Sequence, residues 1–487
     1  MALKTLDQAM LERSARDPAN VAYQDPAGQL RSGEIAAGAF ALSRLLANNT
    51  TRDTVAICLP SIKEFPLVFF ATLMAGKTAV PINFLLQPRE LIHVFKDSGA
   101  ELVITCRQFE DKLKPLGVRT LCIEDFGKPA AASSKPEPAK NPSDVAVLLY
   151  TSGTTSLPKG VKLTHANFLA QHESLRQVLD LPRFHMLSAL PLFHTFALTV
   201  AVVLPAVSEA RASLLPRFDP GEVIEALPKF GANALVAVPS MYRMLTRSAK
   251  RAGKDAKTLG LTLAIAGGEK LPPDVREEFE TVFKHPLLEG YGLTEHGPVV
   301  AVNTPAINRP GTIGKVMPGV EWRIVGSEGK SVTPGEEGEL QVRSASVMAG
   351  YHNHTESPVN AEGWLATGDL ARADKDGFVA ITGRIKELII SAGKNIHPSE
   401  IEDVVAEHPS VSENAVIGMA DKTRGEAPAL FVVLHKGATL EPDALKDWLR
   451  ERLADYKMPR LIKMLPGLPH GPTGKVLKRA LKMHLAE

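Results

Sequence analysis

Residues 148–168, LLYTSGTTSLPKGVKLTHANF, decide how the chain is interpreted. Apolar strand-forming residues give way to a run of small Thr, Ser and Gly residues, followed by Lys159 and Gly160. Exposed backbone N–H groups, hydroxyls and one cation together suit polyphosphate oxygens. A Ser/Thr turn with a surface lysine is the alternative, and the loop alone does not separate the two. A Walker-type P-loop is excluded, because here the lysine precedes the glycine and the strand-like VKL follows.

On both sides of this loop, strand-like runs alternate with helix-like ones. VAICL, AVPIN and LVIT precede it, and SALPLF, NALVAVPS and LTLAIAGGE follow it. This rhythm predicts an α/β fold with a mostly parallel sheet, in which ligands bind beyond the carboxyl ends of the strands. After about Gly311 short strands with Gly and Pro turns predict an antiparallel lobe, and the segment from about Glu387 predicts a small further domain.

Composition limits the classes of partner. Of the 487 residues 44% are hydrophobic and 23% charged, and 56 Lys and Arg stand against 54 Asp and Glu, so we expect a small-molecule ligand and no nucleic acid. Cys58, Cys106 and Cys122 are widely spaced, which predicts buried thiols in a reducing compartment. No secretory signal is recognisable, and the longest apolar runs are shorter than the ~20 residues that cross a bilayer. We therefore expect a cytoplasmic protein without a transmembrane segment.

Further motifs follow in one order along nearly the whole chain: PLFHTFALT, EGYGLTEHGPV, GWLATGDL, GRIKELIISAGKNIHPSEIE and PTGKVLKRAL. With these motifs the sequence resembles the superfamily of acyl-adenylate-forming enzymes, and most of all its fatty acyl-CoA and acyl-carrier-protein synthetases. The resemblance implies an N-terminal domain over 1–383, with two helix-covered sheets and a distorted antiparallel barrel. It also implies a hinge at 384–386, with Lys386 as the hinge residue, and a small mobile C-terminal α+β domain over 387–487.

The resemblance also implies an ATP site. The loop would hold the β- and γ-phosphates, Tyr291 would stack on adenine, Thr294 would bind the α-phosphate and Glu295 would bind Mg²⁺. The ATP-binding residues so implied are Thr151, Ser152, Gly153, Thr154, Thr155, Ser156, Lys159, Gly268, Glu269, Lys270, Tyr291, Gly292, Asp369 and Arg384. Ser156 departs from the family, which has glycine there.

Asp369 and Arg384 flank the turn DKDG at distances that put them near each other on adjacent strands. The resemblance assigns them to the ribose hydroxyls; the alternative is a solvated cross-strand ion pair. Lys475, in a basic C-terminal segment, is implied to be the adenylation lysine, although charge runs are usually solvated faces. Gly393 and Lys394 are implied to border the channel for the thiol of CoA.

Apart from His194, the acyl pocket implied by the resemblance is lined by apolar or small residues. Its residues are His194, Phe196, Met241, Gly267, Gly292, Pro298 and Val299. His194, which is also placed with Lys475, Thr294 and Glu295 in the catalytic set, stands near where peptide-synthesising relatives carry an aspartate for an amino group. An amino acid substrate is therefore disfavoured, because a buried ammonium without an acidic partner is costly. Two alternatives are that His194 is a core histidine and that Arg243 serves a dicarboxylate.

The predicted function is ATP-dependent activation of a fatty or medium-chain acid, or an aryl acid, to an acyl-adenylate, followed by transfer to CoA. ATP, Mg²⁺ and CoA are the predicted cofactors and co-substrates, and a homodimer is a further expectation. Transfer to an acyl-carrier protein is the alternative acceptor. A nucleotide-binding protein without turnover is the alternative of another class. The sequence argues against it, because Lys475, Glu295 and Asp369 are all present, whereas a degenerate relative would be expected to have lost some of them.

Overall fold

A computed structural model describes residues 4–126, 141–151, 157–471 and 476–485. The chain divides into two compact units, the first over Met1–Glu321 and Val342–Leu365 and the second over Trp322–Gln341 and Ala366–Glu487. The limits 1–383, 384–386 and 387–487 stay predictions.

The first part of the chain alternates strands with helices, as the sequence predicts. Its elements are α1 (Leu6–Arg16), β1 (Val21–Asp25), β2 (Gly28–Arg31), α2 (Ser32–Asn49), β3 (Thr54–Cys58), α3 (Glu64–Met74), β4 (Thr78–Pro81), α4 (Pro88–Ser98), β5 (Leu102–Thr105), α5 (Arg107–Leu113) and β6 (Arg119–Cys122).

The alternation resumes after residue 141 and runs to the end of the parallel region. The elements are β7 (Val145–Thr151), β8 (Lys159–Thr164), α6 (His165–Leu175), β9 (His185–Ser188), α7 (Thr195–Ala197), α8 (Leu204–Val207), β10 (Arg211–Leu214), α9 (Pro220–Phe230), β11 (Ala234–Ala237), α10 (Pro239–Ala252), α11 (Ala256–Leu259), β12 (Leu263–Ala266), α12 (Pro273–Phe283), β13 (Leu288–Gly292), β14 (Val299–Val302) and β15 (Lys315–Val316).

These strands build two sheets. One has the order β6-β5-β3-β4-β7-β8 and is parallel except for the antiparallel pair β7 and β8. The other has the order β15-β14-β13-β12-β11-β9-β10-β1-β2 and is parallel from β13 to β1. Strands β3, β4 and β11 are buried along their whole length, as expected of parallel strands covered by helices on both faces. The predicted α/β fold is confirmed.

The two longest apolar runs of the sequence, residues 65–76 and 196–207, lie in the core. Phe69 and Phe70 of α3 are fully buried, and residues 197–207, which are helical, are buried throughout. None of the helices in the described ranges combines the length and the hydropathy that a membrane span requires. Cys58, Cys106 and Cys122 are buried free thiols, as predicted, and burial raises the pKa of Cys58 to about 12.

The second unit and its borders contain shorter elements. They are β16 (Glu321–Val325), β17 (Gly338–Arg343), β18 (Leu365–Ala373), β19 (Val379–Arg384), β20 (Ile389–Ser391), β21 (Lys394–Ile396), α13 (Pro398–Ala406), β22 (Val411–Asp421), β23 (Gly425–Leu434), α14 (Pro442–Arg450), β24 (Leu461–Met464) and α15 (Lys478–Leu481). Strands β20 to β24 form one sheet, against which α13 and α14 bury Ile401, Val405, Leu445 and Leu449.

The antiparallel strands do not close into the barrel that the resemblance implied. Strands β14 and β15 extend the parallel sheet through the antiparallel pair of β13 and β14, whereas β16-β17-β18-β19 form a separate open sheet. In the described part of the chain, strands β14 to β19 therefore belong to two different sheets. The reason is that β14 pairs with β13, the strand that precedes it in the chain.

Candidate active site

The hydroxyl-rich loop connects the two strands of an antiparallel hairpin. Thr151, the last residue of β7, lies directly opposite Lys159, the first residue of β8. The strand-like VKL of the sequence is part of β8. The loop residues Ser152, Gly153, Thr154, Thr155 and Ser156 lie outside the described residues. The hairpin thus fixes where the loop leaves and rejoins the sheet.

A second strand end carries Tyr291, Thr294 and Glu295. Tyr291 is in β13, opposite Ala301 of β14, and the two other residues follow in a 3₁₀ turn. The hydroxyl of Thr195, from the PLFHTFALT motif, donates to Oγ1 of Thr294 over 3.0 Å. Two motifs that lie far apart in the sequence therefore meet through a pair of threonine hydroxyls.

Gly292 is required by close backbone contact. A Cβ atom at this position would lie 2.0 Å from the carbonyl oxygen of Pro298, well inside any permitted approach. The same oxygen accepts a hydrogen bond from the amide of Leu293. The hairpin that presents Thr294 and Glu295 therefore closes only around a glycine, a reason that the sequence did not reveal.

A segment from another part of the chain, which we call the strap (residues 348–353), lies along β8. All the contacts are backbone hydrogen bonds. The amide of Ala349 donates to the carbonyl of Lys162, and the amide of Lys162 donates to the carbonyl of Gly350. The amide of His352 donates to the carbonyl of Gly160. Inside the strap, the hydroxyl of Tyr351 donates to Oε1 of Glu295 over 2.9 Å. Sequence reasoning missed the strap, because no pattern in its sequence predicts a contact with Glu295.

The ring of Tyr351 also lies near Lys159, the residue at which the chain rejoins the sheet after the hydroxyl-rich loop. The ammonium of Lys159 is 5.3 Å from the centroid of this ring. Burial and the neighbouring Glu295 raise the pKa of Tyr351, so its hydroxyl keeps its proton and remains a donor. A carboxylate and a cation that are both predicted to meet ATP are thus brought to one tyrosine side chain.

Gln171 of α6 is a further residue that sequence reasoning missed. Its side-chain amide donates to the carbonyls of His296 and Val299 over 3.2 and 3.1 Å, and its oxygen accepts from the amide of Val299. His296 is fully buried beside it, and Ser344 lies 2.9 Å from Nε2 of the ring. Burial lowers the pKa of His296 to about 4, so the ring is neutral at pH 7. The turn after Glu295 is therefore fixed from helix α6.

The residues of the predicted acyl pocket, except the exposed Gly292, are buried or half-buried in the structure. A Cβ on Gly267 would lie 3.9 Å from Cε1 of Phe196, so these two predicted residues are neighbours. Gly267, Pro298 and Val299 are buried, and Met241 is half-buried against the core. His194 begins the turn of α7 and stacks at a tilt near Phe193, with ring centroids 5.7 Å apart.

The segment after β12 carries the residues that the resemblance assigns to the adenine pocket. The amide of Gly267 donates to Ala237 at the end of β11, and Gly268 follows with a φ of +89°. Glu269 and Lys270 continue this segment, half-buried and exposed respectively. The chain thus turns at the carboxyl ends of two adjacent parallel strands, where ligands bind in open α/β sheets.

In the second unit, Asp369 and Arg384 lie opposite each other on β18 and β19. Nε of Arg384 is 2.9 Å from Oδ1 of Asp369, and the side chains are 53% and 5% exposed. A buried carboxylate beside an exposed guanidinium is compatible with either the ribose site or the cross-strand ion pair that the sequence left open.

The predicted hinge and thiol-channel residues are exposed. Lys386 lies in a 3₁₀ turn, Ile385–Glu387, and Gly393 has a φ of +75° in the turn between β20 and β21. The ammonium of Lys394 lies 4.4 Å from the ring centroid of Tyr456. Among the described residues other than Gly393 and its two chain neighbours, no heavy atom lies within 4 Å of the position that a Cβ on Gly393 would take.

Lys475 lies outside the described residues, but its flanks are defined. His470 and Val476 form an antiparallel bridge around it in the sequence. Nζ of Lys478 then contacts Glu387, 2.9 Å away and next to Lys386, and Glu402, 2.8 Å away. Lys478 thereby ties the C-terminal helix to the predicted hinge, which the sequence did not indicate.

Two family models match the chain. The model described as AMP-binding enzyme matches residues 11–352, and the model described as AMP-binding enzyme C-terminal domain matches residues 400–475. The chain belongs to the AMP-binding enzyme family. Residues 348–352 of the strap and every site residue assigned to the first unit fall within the first match, and Gly393 falls between the two.

Similar proteins within the AMP-binding enzyme family are CoA ligases. A long-chain-fatty-acid–CoA ligase of Escherichia coli O157:H7 is 33% identical over 481 residues, 88% of this chain and 85% of the relative. A feruloyl-CoA synthase of an Amycolatopsis species is 34% identical over 88% of this chain and 87% of its own. A solved o-succinylbenzoate CoA synthetase of Bacillus subtilis, in complex with ATP and magnesium ion, has a TM-score of 0.88 at 29% identity, covering 97% of this chain and 99% of its own.

Proposed function

We propose that this chain is an AMP-forming acid–thiol ligase, which converts a carboxylic acid and ATP into an acyl-adenylate and transfers the acyl group to CoA. The observation that carries the proposal is the meeting of Lys159 and Glu295 at Tyr351, beside the hairpin that begins and ends the hydroxyl-rich loop. A cation for phosphate oxygens and a carboxylate for a hard divalent cation are the two charges that ATP·Mg²⁺ requires.

In the first half-reaction the acid's carboxylate attacks the α-phosphorus of ATP and pyrophosphate leaves. Lys159 and the loop hydroxyls neutralise the β- and γ-phosphates, Thr294 donates to the α-phosphate, and Lys475 bridges the α-phosphate and the acid. Glu295 fits a magnesium site, since it offers a carboxylate whose orientation is fixed by the hydrogen bond from Tyr351. Bound Mg²⁺ would supply charge neutralisation on the phosphates.

In the second half-reaction the thiol attacks the carbonyl carbon of the acyl-adenylate and AMP leaves. Asp369 and Arg384 retain the ribose while Tyr291 retains the adenine. Rotation at Lys386 replaces Lys475 by the turn of Gly393 and Lys394, which admits the thiol and excludes water. Exposure of Lys386 and Gly393 supports this role, because a moving segment is drawn from the weakly packed part of a fold.

The acid that fits best is a fatty or medium-chain acid, with an aryl acid as the second candidate. Phe196 and Gly267 are neighbours, and Pro298 and Val299 are buried, which supports an apolar pocket. Nη1 of Arg243 is 2.6 Å from Oδ2 of Asp274, so its charge is already paired, and a dicarboxylate is disfavoured. The feruloyl-CoA synthase relative supports the aryl candidate.

The acceptor and the assembly are parts of the same proposal. CoA is the first acceptor, because the similar proteins include CoA ligases. An acyl-carrier protein is the alternative acceptor, and a cytoplasmic location and a homodimer remain expectations. A nucleotide-binding protein without turnover would bind ATP but release no pyrophosphate.

The test is a panel of carboxylic acids of increasing chain length, with aryl and dicarboxylic acids included, scored by pyrophosphate release. CoA or an acyl-carrier protein bearing phosphopantetheine is then added, and the thioester is measured. Release with aliphatic acids and thioester formation with CoA would support the proposal. ATP binding without release for every acid would contradict it, and thioester formation with the carrier protein alone would reassign the acceptor.

A further inference from the structure

Tyr351 contacts the machinery of the proposed reaction without belonging to any of the motifs that point to it. Its hydroxyl donates to Oε1 of Glu295, and the bond joins residues 56 positions apart. The strap places this ring through backbone bonds to β8, and Met348 of the strap donates its amide to the carbonyl of Glu295 over 2.9 Å. Both the backbone and the carboxylate of Glu295 are thus held by one segment.

The strap itself is held at its far end. The side-chain amide of Asn353 donates to Oδ1 of Asp97 over 3.1 Å, and the ring of His352 lies 3.1 Å from the carbonyl oxygen of Asp97. Tyr351 lies between this anchor and the bond to Glu295. The position of its hydroxyl is therefore set by several independent contacts, which is what a residue that orients another must have.

A hydrogen bond to one carboxylate oxygen fixes the rotation of the whole group. With Oε1 accepting from Tyr351, Oε2 has a defined direction and accepts from none of the residues that the structure describes. Partners that orient a metal-ligating group are known to change metal affinity by roughly 10–100-fold when they are removed. On this basis, and resting on the proposed function, we propose that Tyr351 is a positioning residue that orients the Glu295 carboxylate for the divalent cation accompanying ATP.

The same ring provides a separable contribution. Lys159 lies 5.3 Å from the ring centroid, so the aromatic face restricts the lysine through a cation–π contact. Replacement by phenylalanine keeps this face and removes only the hydroxyl. Tyr351→Phe therefore isolates the bond to Glu295 and leaves the packing of the strap in place.

The experiment measures Mn²⁺ binding in the presence of an ATP analogue with a non-cleavable α,β-linkage, by electron paramagnetic resonance of free Mn²⁺. No acid or thiol is present, so the readout does not depend on turnover. We expect Tyr351→Phe to raise the dissociation constant for Mn²⁺ roughly tenfold. Binding of the metal-free analogue should change by less than twofold, because Lys159 retains its aromatic neighbour.

The matched control is Tyr242→Phe. Tyr242 is fully buried in the same unit, and its hydroxyl donates to the carbonyl of Leu235 over 2.8 Å, so this variant also loses a tyrosine hydrogen bond but touches no carboxylate. We expect its Mn²⁺ affinity to equal that of the wild type. Thermal unfolding of each variant verifies that it is folded.

A double-mutant cycle with Glu295→Gln provides a second measurement. If Tyr351 acts through Glu295, the hydroxyl should have little further effect on Mn²⁺ affinity in the Glu295→Gln background. Additive effects would overturn the proposal, as would an unchanged Mn²⁺ constant in Tyr351→Phe, equal weakening of the metal-free analogue, or a wild type that binds no Mn²⁺ with the analogue. Loss of Mn²⁺ affinity in a protein that releases no pyrophosphate would support Tyr351 and reject the proposed reaction.

Discussion

The candidate residues of the first unit and those of the second are held in different ways. In the first unit Glu295 is fixed by Tyr351 and the strap, and the turn after it is fixed by the buried side chain of Gln171. In the second unit Lys386 and Gly393 lie in exposed turns. A rigid setting suits the binding of charged phosphates, whereas an exposed turn suits a segment that changes position.

The largest expected effect concerns Lys475. Lys475→Ala should lower pyrophosphate release by roughly 10²–10³-fold or more, because a donor to the transition state is lost. Transfer from supplied acyl-adenylate to CoA should survive. Lys482→Ala, an exposed lysine of the same basic segment, is the control. Equal loss of both half-reactions in Lys475→Ala would contradict the assignment of Lys475 to adenylation alone.

Gly393 offers the converse test. Gly393→Leu should lower thioester formation by about 10²-fold, the scale of a misplaced reactant, and leave pyrophosphate release intact. Gly377→Leu is the matched control, because both glycines have a positive φ, 75° and 79°, and open space around the missing Cβ. Equal losses in both variants would mean that backbone strain alone explains the effect, and the channel role would be rejected.

Gly292 tests the rigidity of the first unit. Gly292→Ala should lower the free energy of unfolding by about 2 kcal/mol, the usual cost of overpacking, and weaken adenylation, since Thr294 and Glu295 move with the hairpin. Gly290→Ala in the same strand is the control, because its Cβ would lie 3.3 Å from Cγ2 of Ile265, a side chain that can shift. Urea unfolding measures both, and an equal or larger loss in Gly290→Ala would contradict the assignment.

The smallest effect is a pH dependence of stability centred on His296. Because burial holds its pKa at about 4 in the folded state, against about 6.5 in the unfolded chain, the unfolded state binds the proton first as the pH falls. The free energy of unfolding should drop by about 1 kcal/mol from pH 7 to pH 5.5 through this group. His296→Gln should lose that part of the slope, whereas His285→Gln, at a half-buried position, should keep it. A slope unchanged in His296→Gln would disprove this account.

Much of this organisation follows from local sequence. The alternating runs predicted the parallel sheets, and the spacing around DKDG put Asp369 near Arg384, where the structure has them paired. These features depend on periodicity and on turn residues, which act over a few positions. Lys159 opposite Thr151 follows in the same way, because a hairpin joins strands that are neighbours in the chain.

The missed features all depend on long-range contacts. Tyr351 meets Glu295, Gln171 meets His296, and Lys478 meets Glu387, and in each pair the partners are separated by dozens of residues or more. No local pattern distinguishes such a tyrosine or glutamine from a surface residue. The barrel expected from the resemblance was wrong for a related reason. Strand β14 pairs with β13, so the sheet that β14 joins is decided by where β13 itself pairs, which local sequence does not specify.

The strap has a consequence beyond the reaction. Strand β8 is at the end of its sheet, and an uncovered edge strand is a template for pairing with other molecules. Because Gly350 and His352 occupy the backbone groups of Lys162 and Gly160, the strap closes that edge. Changes that release the strap should therefore promote aggregation as well as disturb Glu295, so solubility and activity depend on the same few hydrogen bonds.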